Sequence, residues 1–198
     1  MLDPDLFLQP VMIGLAVVLL AVSVSYWAVL VYLPLFMQTR FALPPELASL
    51  ALLVATLPML VLPPAGGAVV ARWDWRRLFA IGLALLPAGD LVLAFAATAD
   101  PPTALHAALL GMAVIGAGVG LVQAQLSGVV VALAPPAQAG MASAITVVLR
   151  QAGFAIGIAA LGGMLGADPS ADGFAAAFML AAAAAVGGIA AVALLPRR

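Results

Sequence analysis

A single arginine, Arg150, stands in the middle of a long apolar run between Ala139 and Leu165, where lipid cannot solvate its charge. A charge near the bilayer centre costs about 2.5–3.5 kcal/mol on insertion scales, so Arg150 must face protein or a water-filled cavity. A guanidinium in that position can grip an acceptor, pair with a buried acid or couple to protons. Asp90 is the acid placed in the middle of another apolar run, Leu78 to Ala97. At a helical rise of ~1.5 Å per residue, Arg150 lies about 17 Å and Asp90 about 18 Å from the start of its own run. The two opposite charges therefore share a depth. Two readings stay open: a structural ion pair, or an Arg150 that lines a cavity and meets substrate or protons.

Other polar groups inside apolar runs are few. Gln123 and Gln125 lie on one, and Ser23, Ser25, Tyr26 and Trp27 on another. Hydrogen bonding between helices is their ordinary role, although Gln123 and Ser127, one turn apart, also define a polar stripe. Tyr26, Trp27 and Gln123 join Arg150 and Asp90 as candidates for a substrate or proton pathway. Catalysis has little to work with, because a serine nucleophile needs a base and the sole histidine, His106, has no evident partner. Without cysteine, and with no acid or second histidine at ligand spacing from His106, neither a metal nor another cofactor is implied. The chain does not read as an enzyme.

These residues have to be held by elements suited to an apolar solvent. Of 198 residues, 8% are charged and 66% hydrophobic, with a mean hydropathy of +1.25. Soluble domains carry about a quarter charged residues. A net charge of -1 leaves no basic face for nucleic acid. Cutting the apolar runs at charges and at Pro/Gly clusters gives six spans in one domain, residues 1–198, at about 11–37, 47–71, 78–97, 104–133, 139–165 and 174–195. All exceed the roughly ten residues of a membrane strand, which predicts an all-α transmembrane helix bundle with the lipid bilayer as its partner.

Arginine placement gives orientation. Arg72, Arg76 and Arg77 fall between the second and third spans and Arg197 and Arg198 close the chain, whereas Arg40 alone lies between the first and second. The positive-inside rule puts both termini and the 2–3 loop in the cytoplasm of a multi-pass protein of the plasma (inner) membrane. Pro44-Pro45-Glu46-Leu47-Ala48 and Pro135-Pro136-Ala137-Gln138-Ala139 open spans three apart, as in an inverted repeat and equally as ordinary helix-start punctuation. Pro58, Pro63 and Pro64 predict a kink in the second span. Gly116 with Gly120, and Gly153 with Gly157, have the spacing of close helix contacts.

Several local sequences carry a family resemblance. Leu2-Asp3 with Leu6-Phe7, the run Tyr32-Leu33-Pro34-Leu35-Phe36-Met37-Gln38, and Pro135 to Ser143 followed by Leu149-Arg150-Gln151-Ala152-Gly153 together extend over almost the whole chain. They resemble the C-terminal six-helix half of a major facilitator superfamily transporter of the 14-helix drug:proton antiporter branch. Gly67, Arg72, Arg76 and Arg77 fit that family's cytoplasmic loop motif, with Ala71 where the acid would be and Asp74 where a second glycine would be.

The resemblance implies half of a proton-coupled efflux transporter for small amphipathic compounds, working by alternating access. It implies partners too: a small-molecule substrate, protons, and a second six- or eight-helix half or a homodimer. In that fold the fifth helix borders the central cavity, which favours a cavity-lining Arg150. The third helix is peripheral, which weighs against pairing with Asp90. The competing reading is a truncated, non-transporting bundle that only associates with other membrane proteins.

Overall fold

The computed structural model describes residues 10–70, 75–133 and 139–192, with side chains except at 10–11, 63–70, 75–76, 124–133, 139 and 142. Helix α1 is one rod in three pieces: an α-helix over Pro10–Val22, a π-helical turn over Ser23–Ala28 and an α-helix over Val29–Phe41. Helices α2 (Pro45–Val70), α3 (Trp75–Thr98), α4 (Thr103–Leu133), α5 (Ala139–Leu165) and α6 (Ala171–Val192) follow. Each of the six is long and apolar enough to cross a membrane, and the described residues contain no strand. With no water to satisfy exposed backbone, helices that bond internally are the expected solution.

Helix ends show how local chemistry moves a boundary. The first span was expected to stop at Met37, but α1 continues through Gln38-Thr39-Arg40 to Phe41 and ends at Ala42, in the left-handed region with φ 50°. Arg40 explains the extension. Its Nε donates to the Ala97 carbonyl at 2.9 Å and its Nη2 to the Ala99 carbonyl, so the cation sits on unpaired carbonyls at the C-terminal end of α3. Helix α6 starts at Ala171 rather than 174, because Ser170 Oγ accepts from the Gly173 N–H at 3.1 Å and Asp172 occupies the first turn. Pro58 lies inside α2, whose helical backbone runs on to Val70.

Packing is tightest where side chains are smallest. Helix α3 lies between α4 and α6, α2 packs on α4, and α1 packs on α5 and α6. At Gly89 an added Cβ would come within 2.9 Å of the Gly111 carbonyl oxygen, and at Gly120 within 2.8 Å of the Pro58 carbonyl oxygen. Helix α5 uses Gly153 and Gly157 in the same way against the π-turn, where a Cβ would approach Ser23 Cβ at 2.9 Å and Ala28 Cβ at 2.7 Å. Such approach maximises dispersion contact, the main attraction left between helices in lipid. Toward the Arg40 end, Phe36 of α1 packs against Phe174 and Phe178 of α6, with ring centroids 5.1 and 5.2 Å away.

The bundle is lopsided. In the most apolar stretch of each helix, 61% of α1 is buried but only 22% of α5 and 11% of α2. Leu47, Leu50, Leu53, Leu57 and Leu60 of α2 are exposed, as are Val147, Val148 and Ile156 of α5.

Candidate functional site

The sequence Ser23-Val24-Ser25-Tyr26-Trp27-Ala28 concentrates polar and aromatic groups in one stretch of an apolar helix. So short a run is spread around the helix, so helices must cover it on several sides for its polar groups to be buried. The stretch forms a π-turn, with wider winding than the flanking α-helix. Ser23 Oγ donates back to the Leu19 carbonyl at 2.8 Å, a local bond that bends helices. Helix α5 then lies against Ser23, Val24 and Ala28 through Gly153 and Gly157.

Three consecutive residues of this turn reach three different helices. Ser25 is fully buried and its Oγ donates to Asp90 Oδ2 of α3 at 2.6 Å. Asp90 is also 0% exposed, and its Oδ1 has no hydrogen-bond partner. Tyr26 is fully buried, and its hydroxyl donates to the Ala55 carbonyl of α2 at 3.0 Å. Trp27 stands edge-on to Tyr26, with centroids 5.3 Å apart and planes at 83°, and lines a cavity on the α5 side.

That cavity, about 220 Å³, is bounded by Trp27 of α1 and by Arg150, Gln151 and Phe154 of α5. Arg150 is half-buried. Behind it, Gln123 of α4 turns its carboxamide oxygen to the guanidinium and accepts from Nη1 and Nη2, both at 3.1 Å. The opposite amide orientation would set donor against donor, which fixes the assignment. Two buried donors remain without acceptors: Arg150 Nε and Trp27 Nε1. A buried donor left unpaired costs about 1–3 kcal/mol, so both groups would be stabilised by any acceptor that reached them.

The five candidate pathway residues thus fall into two groups around the π-turn and one bridge between helices. Trp27, Arg150 and Gln123 come together on the α4–α5 side, Asp90 pairs with Ser25 on the α3 side, and Tyr26 ties α1 to α2. Arg150 and Asp90 are not each other's partners: each has its own polar partner. Among the loop-motif candidates, Arg77 is exposed near the start of α3. Arg72 and the side chains of Arg76, Gln125 and Ser127 lie outside the described residues, and of Gly67 only the helical backbone is described. Gln151 and Phe154 line the cavity although sequence reasoning had not placed them in a site. Phe154 follows Arg150 by four residues, and that one-turn spacing was the available signal.

Comparison with known proteins bears on this geometry. The chain is 32% identical over 132 residues to the multidrug resistance protein Stp of Mycobacterium tuberculosis strain CDC 1551 / Oshkosh. It matches the Stp protein of strain ATCC 25618 / H37Rv with the same identity and span. Those residues are 67% of this chain but only 24% of each relative, so the match spans about a quarter of the curated relatives' length. A family model described as Major Facilitator Superfamily matches residues 8–198. Because that match takes in all six membrane-length helices, the chain belongs to the major facilitator superfamily, and its bundle is that of one half of such a fold.

Proposed function

We propose that these six helices form the C-terminal half of a proton-coupled efflux transporter of the 14-helix drug:proton antiporter branch, which moves small amphipathic compounds by alternating access. The observation that carries this reading is the Trp27–Arg150 cavity on α5, one of the two least buried helices, in a chain of this family. A pathway in such transporters runs between two bundles around a site near the membrane midplane. Here Arg150, held by Gln123, and Trp27 meet the substrate. Asp90, the acid of the apolar spans, carries the coupled proton, and Tyr26 fixes α2 to the π-turn as the bundle rocks.

The exposed faces of α2 and α5 receive a second six- or eight-helix half, or a second copy of the chain. The chain sits in the plasma membrane with both termini and the loop of Gly67, Arg72, Arg76 and Arg77 on the cytoplasmic side. Activity under the multidrug name of the Mycobacterium tuberculosis relatives is in keeping with amphipathic substrates.

The test is reconstitution. Proteoliposomes carrying the chain together with an N-terminal half should export an amphipathic dye when an inward proton gradient is imposed, and should stop when the gradient is collapsed. Liposomes carrying the chain as a monomer should not, because one bundle supplies one wall of the pathway. Gradient-driven export by the monomer, or none in any assembly, would overturn the proposal.

A further inference from the structure

Taking the transport reading above as its frame, we infer that the Trp27–Arg150 cavity selects substrates through a carboxylate attached to an aromatic ring, and not through a cationic group. The guanidinium itself sets the preference. A single oxygen 3.1 Å from both Nη1 and Nη2 occupies the end-on edge of the fork, where Gln123 sits. The side edge, made by Nε–H and the neighbouring Nη–H, is then the one without a partner in the chain; Nε is enclosed, so a ligand meets this edge as the Arg150 side chain turns toward the cavity it lines. That edge presents two parallel N–H groups matched to the two oxygens of a carboxylate.

Trp27 adds a third donor. Its Nε1–H can only donate and is buried without an acceptor, in a residue that lines the same cavity. Among the described residues, none that lines the cavity is acidic, and Asp90 is engaged by Ser25. A cationic ligand would meet the Arg150 charge with no anion beside it, whereas an anion is attracted in surroundings of low dielectric. The rings of Trp27 and Phe154 supply apolar walls, and roughly 150 Å³ is known to be enough for benzene, so about 220 Å³ takes one ring and its carboxylate.

Binding tests this on the full chain in nanodiscs, with radiolabelled benzoate as the probe and benzamide and benzylammonium as shape-matched competitors. Benzoate should bind saturably, benzamide should compete at least about tenfold more weakly, and benzylammonium more weakly still. Arg150→Gln should lower benzoate affinity at least about tenfold while leaving benzamide nearly unchanged, and Arg150→Lys should recover only part of the loss. Trp27→Phe keeps the ring and should weaken benzoate about threefold or more. This variant also keeps the test decisive if Arg150→Gln fails to fold.

Nanodiscs of phosphatidylcholine and of phosphatidylglycerol separate two sources of an anion. Equal benzoate affinity in both supports the proposal. Loss of benzoate binding in phosphatidylglycerol assigns the site to a lipid phosphate and overturns it. So does absence of saturable benzoate binding to the folded chain, or a ranking in which benzamide or benzylammonium binds as well. Benzoate binding without gradient-driven export in the assembled transporter would leave this site standing and remove only the transport reading.

Discussion

Two charged side chains, each midway along an apolar helix of one bundle, are treated in opposite ways. Asp90 is 0% exposed and touches one hydroxyl, that of Ser25 on the π-turn of α1. Arg150 is half-buried, backed by Gln123 and open to a cavity that other groups with spare donors share. A single turn of α1 separates them: Ser25 and Trp27 are two residues apart and so leave the helix on nearly opposite sides. The contrast teaches that charges buried in a membrane protein need not answer each other. Each can be met by a neutral partner, which leaves both free for separate tasks.

The largest effect expected from breaking this arrangement is at the open side. Arg150→Ala should lower export by the assembled transporter at least about tenfold while membrane insertion is unchanged, because the charge-assisted bonds of the cavity vanish and Gln123 loses its partner. Export assays alongside a membrane-fraction blot would check both halves of the statement. If Arg150 and Asp90 acted as an ion pair, the exchange Asp90→Arg with Arg150→Asp would restore activity. No restoration is expected, since neither residue touches the other.

Next in size is the contact that seats α5 on the π-turn. Gly157→Ala would push a methyl to within 2.7 Å of Ala28 Cβ and 3.1 Å of Val24 Cα, and overpacking of this kind costs about 1–3 kcal/mol. Gly163→Ala on the same helix has nothing within 4 Å of the added carbon, so its change should stay within about 0.5 kcal/mol. Denaturation in mixed micelles compares the two. Equal effects would mean that the glycine seat is not what positions Arg150.

A smaller loss is expected at the bridge to α2. Tyr26→Phe removes the hydroxyl bonded to the Ala55 carbonyl and keeps the ring against Trp27, so stability in the same assay should fall by about 0.5–1.5 kcal/mol. Benzoate binding should be unaffected, because the hydroxyl points away from the cavity toward α2.

Much of the fold was legible in the residues. Six apolar runs divided by proline and charge correspond to six helices, because in lipid the backbone leaves few alternatives. The depth of Arg150 and Asp90 followed from the helical rise alone. Their partners did not, because a helical period says which residues share a face but not which neighbouring helix that face meets: Ser25 for Asp90 and Gln123 for Arg150. The extension of α1 past Met37 escaped for a related reason: Arg40 is a polar stop signal locally, and only the distant carbonyls of Ala97 and Ala99 make it a helix residue. Gln151 stood in the open beside Arg150, yet the cavity it lines is made with Trp27, more than a hundred positions away.

The central claim, that the π-turn separates a sealed acid from an open cation, can be measured directly because the chain contains no cysteine. Single cysteines at Ser25 and Gln151, in otherwise unchanged protein in sealed vesicles, would be exposed to a membrane-impermeant thiol reagent from each side in turn. The reagent needs a thiolate and therefore water. The account predicts rapid labelling of the Gln151→Cys protein from one side, slowed by benzoate, and far slower labelling of the Ser25→Cys protein from either, since Asp90 beside it is reached only as the bundle rocks. Labelling of both at similar rates, or of the Ser25→Cys protein alone, would contradict it.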